Sequence, residues 1–425
     1  MPRRPVFRSH LAPAAPHVRV AAAIVAAGVV GSALAGPPEY AIFDLGLVNP
    51  GDTASQGFRV SVNGIATGRS FGNPTQAFSW TQIGGLVGLP NLANPARPFS
   101  AGNGVNAAGV VVGTGATTAF GASPLPLIWE SGNVAQLPLP AGQSLGRAND
   151  INAHGVAVGS VGSGSTEFGV LYQGGAGGTA MVITQTTANG SFLRSATAIN
   201  DAGRIVGQGI DPNNAAVNVG YVLDTATNVA FAVGALPGRN GALAFDVSEA
   251  GHVVGSSMLN QGAGTPFIWS DGGGMVEIPL PPGTSQGTGR GVNSAGWVVG
   301  VASGLFAVPF LHDGTTTYVL GDLLPPGSGW DLTMNTSSSA LGISEDGVIV
   351  GTGVLNGSVR AYAMIPAKRS CLGDLNGDGV VDGADQGILL ASWGPAKGSP
   401  ADLDGNGEVD GADLGILLSN WGPCK

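Results

Sequence analysis

Two acidic stretches near the C-terminus carry the residue types that hold a hard cation. The first reads Asp374-Leu-Asn376-Gly-Asp378-Gly379-Val380-Val-Asp382-Gly383-Ala384-Asp385, and the second reads Asp402-Leu-Asp404-Gly-Asn406-Gly407-Glu408-Val-Asp410-Gly411-Ala412-Asp413, starting 28 residues later. Oxygen-bearing side chains fall at loop positions 1, 3, 5, 9 and 12. Glycine falls at position 6, where the loop must turn sharply, and Val380 or Glu408 at position 7 offers a backbone carbonyl. This donor spacing suits calcium, so two Ca2+ ions are expected, one per loop.

A loop of this kind needs a helix behind it to hold its last carboxylate. Each copy supplies one, Ile388-Leu-Leu390-Ala-Ser-Trp393 and Ile416-Leu-Leu418-Ser-Asn-Trp421, and each is stopped by Gly-Pro. The two cysteines, Cys371 and Cys424, bracket the duplicated unit and read as one disulfide tying its ends together in an oxidising compartment. Closing a loop of that length stabilises the unit by about 4 kcal/mol in the chain-entropy model. A unit this small has a thin core, so the staple and the metal both count.

The N-terminus points to that compartment. Arg3, Arg4, Arg8 and Arg19 precede an apolar run from Val20 to Ala35 that closes on Ala33-Leu34-Ala35, the form of a secretory signal peptide cut near Ala35. No later stretch reaches the roughly 18 apolar residues of a spanning helix. A secreted or surface protein with no membrane span in its mature form is expected. Removing four arginines takes the formal net charge from −10 to −14, and an acidic chain without a basic stripe is a poor partner for nucleic acid.

Between signal and loops one pattern recurs: a short apolar strand, a polar turn closing on glycine, and a second apolar strand ending in glycine. It is seen in Gly104-Val-Asn106-Ala-Ala-Gly109-Val-Val-Val-Gly113, in Asp150-Ile-Asn152-Ala-His154-Gly155-Val-Ala-Val-Gly159, and in Ala198-Ile-Asn200-Asp-Ala-Gly203-Arg-Ile-Val-Gly207. The turn glycines stand at 64, 109, 155, 203, 251, 296 and 347, a spacing of 45 to 51 residues that suits a four-stranded propeller blade repeated seven times. With 73 glycines and only 10% charged residues, the composition fits an all-β repeat protein. Most copies continue with a third strand carrying large residues, such as Trp80, Trp129, Tyr172 and Trp269, whose fixed place reads as blade packing. The seventh copy lacks a fourth strand, while Tyr40 to Gly46 is a surplus one. These residues are expected to pair into the last blade and close the ring.

Two resemblances follow. Residues 39–365 resemble the extracellular HAF repeats, with Gln76-Ala77-Phe78 nearest to the triplet that names the family; the likeness implies a secreted β architecture and little else. Residues 371–425 resemble a type I dockerin, a module of two calcium loop-helix units that binds cohesin domains on scaffold proteins and often attaches polysaccharide-degrading enzymes to a larger complex. The resemblance carries Asp374, Asn376, Asp378, Asp382 and Asp385, with Asp402, Asp404, Asn406, Asp410 and Asp413, over as calcium ligands. It implies partner contacts at Gly383, Ala384, Leu390, Gly411, Ala412 and Leu418. Well-known dockerins carry hydroxyl or bulkier side chains at loop positions 10 and 11, where this chain has Gly-Ala twice. The near identity of the copies implies a pseudo-twofold module able to dock in either of two orientations.

Catalytic residues are not evident. His154 and His252 fall at variable turn or strand positions and read as exposed variation, Trp297 reads as exposed, and Ser160, Ser163 and Ser165 lie in a Gly/Ser-rich segment that reads as a loop. The carboxylates of the repeats, Glu130, Asp224, Glu249, Asp271 and Glu345 among them, are scattered, whereas a glycosidase needs two facing acids. The expected organisation is a signal peptide (1–35), an all-β seven-bladed propeller-like domain (36–366), a linker (367–370) and a small helical dockerin-like calcium domain (371–425). The function that follows is a secreted, non-catalytic binding or structural propeller held by a cohesin-type scaffold or surface partner. A dockerin-borne polysaccharide hydrolase or lyase, or a carbohydrate-binding component that takes polysaccharide, is the alternative. Carboxylates clustered at one end of the channel would favour the enzyme, and aromatics along an exposed groove would favour glycan binding.

Overall fold

The structure, a computed structural model, describes residues 37–118, 121–367, 372–396 and 399–424. The expected signal peptide, most of the expected linker and Cys371 lie outside the described residues. Each repeat forms a sheet of antiparallel strands, and the seven sheets make a seven-bladed β-propeller arrangement. The inner strands are Ala54–Val60, Phe99–Val105, Gly146–Ile151, Phe192–Ile199, Gly241–Val247, Gln286–Val292 and Ser339–Ile343. Apolar burial is organised by interface. Ala198, Val206 and Val222 of the fourth blade pack on Ala244, Val253 and Phe267 of the fifth. The closing interface sets Val350, Ala361 and Ala363 of the seventh against Ala66, Phe78 and Trp80 of the first.

The ring closes as the sequence predicts. Strand Tyr40–Asp44 pairs antiparallel with Ser358–Pro366, from Tyr40 opposite Pro366 to Asp44 opposite Tyr362, and becomes the outer strand of the seventh blade. Leu45 extends the join, its N–H donating to the Ala361 carbonyl at 3.0 Å. Tyr40 and Leu45 are both buried. The long interval between turn glycines 296 and 347 holds a 3-10 turn at Leu320–Leu323 and a short strand Trp330–Asp331 added beside Ile349–Leu355.

Two features of the repeat have a common cause. Every inner strand carries a register shift at the same place, such as Gly57/Arg59 in the first blade, Ala148/Asp150 in the third and Ala244/Asp246 in the fifth. A bulge pushes the inner-strand backbone towards its neighbour. There the second strand has its closing glycine: a Cβ on Gly159 would overlap the Arg147 carbonyl oxygen, and one on Gly255 the Leu243 carbonyl oxygen. The same overlap recurs in all seven blades, so the repeated glycine answers the repeated bulge.

The turn residues also reach beyond their own blade. Asn152 Oδ1 accepts the N–H groups of His154 and Val156, capping its own turn, while its Nδ2 donates to the Asn200 carbonyl of the next blade at 3.2 Å. Asn106 reaches Asn152 and Asn200 reaches Ser248 in the same way, at 3.1 and 3.0 Å. Where serine replaces asparagine, as at Ser248, the hydroxyl still caps the turn by accepting the His252 N–H.

Several expectations about single residues are corrected. Trp297 is half-buried against the core between the sixth and seventh blades. His252 is half-buried, its Nδ1 atom enclosed without a hydrogen-bond partner. Ser160 lies buried within strand Ala157–Val161 rather than in a loop.

Candidate functional site

The C-terminal acidic loops fold as two near-copies. Two nine-residue helices, α1 (Gly383–Ala391) and α2 (Gly411–Ser419), follow the loops. Short strands cross-connect the copies: Val380–Val381 of the first loop pairs with Gly422–Pro423 behind α2, and Gly394–Pro395 behind α1 pairs with Glu408–Val409 of the second loop. Between them lies a small core of Val381, Leu389, Val409 and Leu417, ringed by Leu375 and Leu403. The reciprocal pairing relates the copies by a pseudo-twofold. Cys424 is disulfide-bonded, and its expected partner Cys371 lies outside the described residues.

Each loop is built around its last carboxylate. Asp413, fully buried, accepts the N–H groups of Leu403 and Asp404 with Oδ1, at 2.7 and 3.1 Å, and that of Asp410 with Oδ2 at 2.8 Å. Asp385 makes the matching bonds to Leu375, Asn376 and Asp382. The Asp410 N–H first, then those of Asp404 and Leu403 against the opposing burial, hold the Asp413 carboxyl below the usual range. Burial pushes Asp385 up, but its three backbone donors prevail and lower it. Both remain charged. Gly379 and Gly407, at position 6, have φ of +91° and +95°, the conformation the sharp turn requires.

In the second loop the ligand atoms of Asp402, Asp404 and Asp413 lie within 4.8 Å of one another. Asp402 Oδ2 accepts the Gly407 N–H at 2.9 Å, while Oδ1 is buried with no hydrogen-bond partner. A buried carboxylate oxygen left unmatched is costly unless a cation meets it. In the first loop Asn376 stands where the second has Asp404, so the three-carboxylate set is not repeated. There Asn376 Nδ2 donates to Asp378 at 2.8 Å, and Asp374 gathers the N–H groups of Gly377, Asp378 and Gly379.

Asp382 and Asp410, expected as position-9 ligands, are the N-caps of the helices. Each accepts the N–H two residues on, and with Asp385 or Asp413 completes a capping box. Val380 and Glu408 begin the cross-connecting strands. Between 372 and 424 stand nine carboxylates, those of Asp374, Asp378, Asp382, Asp385, Asp402, Asp404, Glu408, Asp410 and Asp413, against the single Lys397. Self-repulsion of that size calls for counter-cations.

All six expected partner residues are exposed. On α1 the exposed arc runs Gly383, Ala384, Gly387, Leu390, Ala391 and continues to Trp393; on α2 it runs Gly411, Ala412, Gly415, Leu418 and continues to Trp421. The large side chains match across the pseudo-twofold: Leu390 and Leu418 are 49% and 50% exposed, Trp393 and Trp421 50% and 49%. The glycines leave open space along each helix.

A second cluster, which the repeat motifs did not reveal, lies in the propeller channel. Arg59 of the first blade meets Asp246 of the fifth at 2.6 Å and Asp150 of the third at 3.9 Å. It also donates to the carbonyls of Thr197 and Phe245 at 3.2 and 3.4 Å. Asp150 accepts the Ile199 N–H and Asp246 the Val292 N–H, both at 3.0 Å. Burial pushes the Asp150 carboxyl up to about 6, opposed by Arg59 and reinforced by Asp246. Burial likewise raises Asp246, against the pull of Arg59 and its hydrogen bonds. The signal was in the alignment of repeats: these three residues stand two before the turn Ser61, Asn152 or Ser248, where other copies have Gly104, Ala198, Gly291 and Gly342.

Clustered carboxylates in the channel are what an enzyme would require. The cavity on the turn side of Arg59, lined also by Asp150 and Asp246, holds about 90 Å³. The carboxylates are occupied by Arg59 and by backbone donors of the next blade. The cluster is a cross-brace that closes the channel. His312 is buried against Thr317, with Nδ1 and Oγ1 at 3.0 Å, and His154 stands exposed on its turn.

No family model matches the chain, and no curated protein matches it. Among solved structures it is similar to TolB from Acinetobacter baumannii, at 12% identity over 57% of this chain and 55% of that one with a TM-score of 0.37. It is similar to YCF48 bound to D1 peptide, at 12% identity over 79% and 99% with a TM-score of 0.44. It is also similar to oligogalacturonate lyase from Vibrio parahaemolyticus, at 9% identity over 76% and 93% with a TM-score of 0.47. The chain spans about half the length of the TolB chain. These likenesses bear on fold alone. Among the described residues no helix is long and apolar enough to cross a membrane.

Proposed function

We propose that residues 371–425 are a two-calcium docking module of dockerin type that attaches a secreted, non-catalytic propeller to a cohesin-like domain on a scaffold or surface partner. The observation that carries this reading is the unmatched, buried Asp402 Oδ1 inside a group of three carboxylates. Asp402, Asp404 and Asp413 would hold one ion with the help of Asn406, and Asp374, Asn376, Asp378 and Asp385 the other. Bound calcium would neutralise the loops and fix the angle at which α1 and α2 leave them. The paired Leu390–Trp393 and Leu418–Trp421 edges supply apolar anchors of the kind that dominate interfaces. Their symmetry favours docking in either of two orientations.

Isothermal titration of calcium into the mature chain tests the metal, with two sites expected and Asp402→Asn abolishing one. Capture from the producing cell's envelope tests the partner. Capture should need calcium and should fall only partly when Leu390 or Leu418 alone becomes Asp, and fully when both do. Retention in chelator, or after removal of residues 371–425, would sink the docking reading. One helix accounting for all binding would sink the dual orientation.

A further inference from the structure

On the other side of the Arg59 brace from the repeat turns, the propeller carries a basin. A cavity of about 510 Å³ lies among the first three blades, lined by Phe58, Arg69, Phe99, Asn103, Arg147 and Asn149. A second, of about 340 Å³, shares Phe58, Asn103 and Asn149 with it, reaches Phe245 and Arg290, and has Arg59 in its wall.

The charge of this basin is opposite to that of the chain. Arg69, Arg147 and Arg290 enter none of the ion pairs among the described residues. Arg69 is held in place by Gln56 Oε1, at 3.1 and 2.9 Å, and lies over Phe71 at 4.5 Å and Phe58 at 5.4 Å. Arg290 lies 4.2 Å over the Phe245 ring. Burial pulls both guanidiniums below their ordinary range, and Arg290 is lowered further by Arg59. Guanidiniums held over aromatic faces, partly desolvated and without a carboxylate, are poised for an anion brought from outside.

The neutral groups point the same way. Asn103 donates Nδ2 to the Ala148 carbonyl at 2.9 Å, and Asn149 donates to the Ala196 carbonyl at 2.8 Å, which fixes both amides between blades. Neither Oδ1 accepts a hydrogen bond among the described residues, so two fixed acceptors await hydroxyl donors. Phe58 and Phe99 are half-buried rings at the same wall. The shape is a hollow in the size range of small-molecule sites, not the open sheet edge or long groove that a peptide uses.

We propose that this basin binds an anionic oligosaccharide. Arg69, Arg147 and Arg290 take its carboxylate or sulfate groups, Asn103 and Asn149 accept from its hydroxyls, and the phenylalanine rings lie along its sugar faces. The site belongs to the propeller and does not depend on the calcium-docking reading.

The test is calorimetry on the full mature chain, with the calcium loops saturated, at low ionic strength. Four probes are compared: trigalacturonate, a sulfated galactan oligosaccharide, a neutral galactan oligosaccharide and hexaglutamate. At least one anionic sugar should bind, and which one does identifies carboxylate or sulfate as the anion. The neutral sugar and the peptide should bind at least tenfold more weakly. Arg147→Gln, at an exposed position, and Arg290→Gln should each weaken the anionic sugar about tenfold with the thermal transition of Arg147→Gln unchanged. Absence of anionic-sugar binding, equal binding of the neutral sugar or of hexaglutamate, or full affinity in Arg147→Gln with unaltered folding would each overturn the proposal.

Discussion

Replacing Asp150 with asparagine should stabilise the propeller at neutral pH and leave it unchanged in acid. In the folded chain burial raises the Asp150 carboxyl from 3.8 to about 6. Between those values the folded state holds a proton that the unfolded chain has released, so this group's contribution to stability falls as pH rises from about 4 to about 6. Above that window the ionised carboxylate costs at most about 3 kcal/mol, two units at 1.36 kcal/mol each. The side chain is only 14% exposed, so solvent screening removes little of this. Asparagine stays neutral throughout, and its Oδ1 can still accept the Ile199 N–H. Asp246 remains 2.6 Å from Arg59, so the guanidinium is not orphaned. Guanidinium chloride unfolding followed by tryptophan fluorescence, in calcium at pH 7.5, 6.0, 5.0 and 4.0, measures the difference between variant and parent. That difference should approach 3 kcal/mol at pH 7.5 and vanish near pH 4. A constant difference across the series, or a variant less stable than the parent at pH 7.5, would refute the view of Asp150 as a carboxylate destabilised by burial. Arg59→Met supplies the converse, a loss of about 3–5 kcal/mol at pH 7.5 from stranding two carboxylates, much of it recovered at pH 4.

Three further perturbations probe the scaffold and the module. Gly255→Ala places a methyl against the Leu243 carbonyl and should cost about 3 kcal/mol or more, read as a lowered denaturation midpoint, whereas alanine at the open helix position Gly415 should be neutral or stabilising. Asn152→Ser keeps the turn cap as Ser248 does but loses the bond to the Asn200 carbonyl, costing about 1 kcal/mol; Asn152→Ala loses both and should cost about twice that. Cys424→Ser removes the disulfide and about 4 kcal/mol of loop-closure stabilisation. Limited proteolysis should then cut the C-terminal module readily in chelator and far more slowly with calcium present.

Much of the architecture was legible because its cause is local. Seven turn glycines, from Gly64 to Gly347, all adopt positive φ, and each follows Asn or Ser three residues earlier. A period of turns therefore revealed a period of blades. The surplus strand at Tyr40 was visible by counting, since the seventh copy has three strands where four are needed to cover its neighbour. The acidic loops were equally legible, but the division of labour within them was not. Asp382 and Asp410, read as position-9 ligands, also cap α1 and α2, a second role that rests on the extended backbone there, with φ and ψ of −142° and −160° at Asp410, and that no spacing reveals.

The channel was hidden for a different reason. A strand read by alternation sends neighbouring residues to opposite faces, so Phe58 and Arg59, or Asn149 and Asp150, cannot both be assigned to one surface from sequence. The bulge breaks that rule. By inserting one extra residue opposite the closing glycine of the second strand, it lets two consecutive positions turn towards the axis. One set, Arg59, Asp150 and Asp246, braces the channel; the residues immediately before, Phe58, Asn149 and Phe245, line the basin next to it. The glycine that every repeat displays as a packing signature is therefore also what makes the recognition surface possible. A repeat in which that glycine had been replaced would have to straighten its inner strand and withdraw one of the two side chains from the axis. Specificity on this scaffold can then vary at the bulged position, where the seven copies hold Phe58, Asn103, Asn149, Thr197, Phe245, Arg290 and Leu341, while the glycine behind it stays fixed.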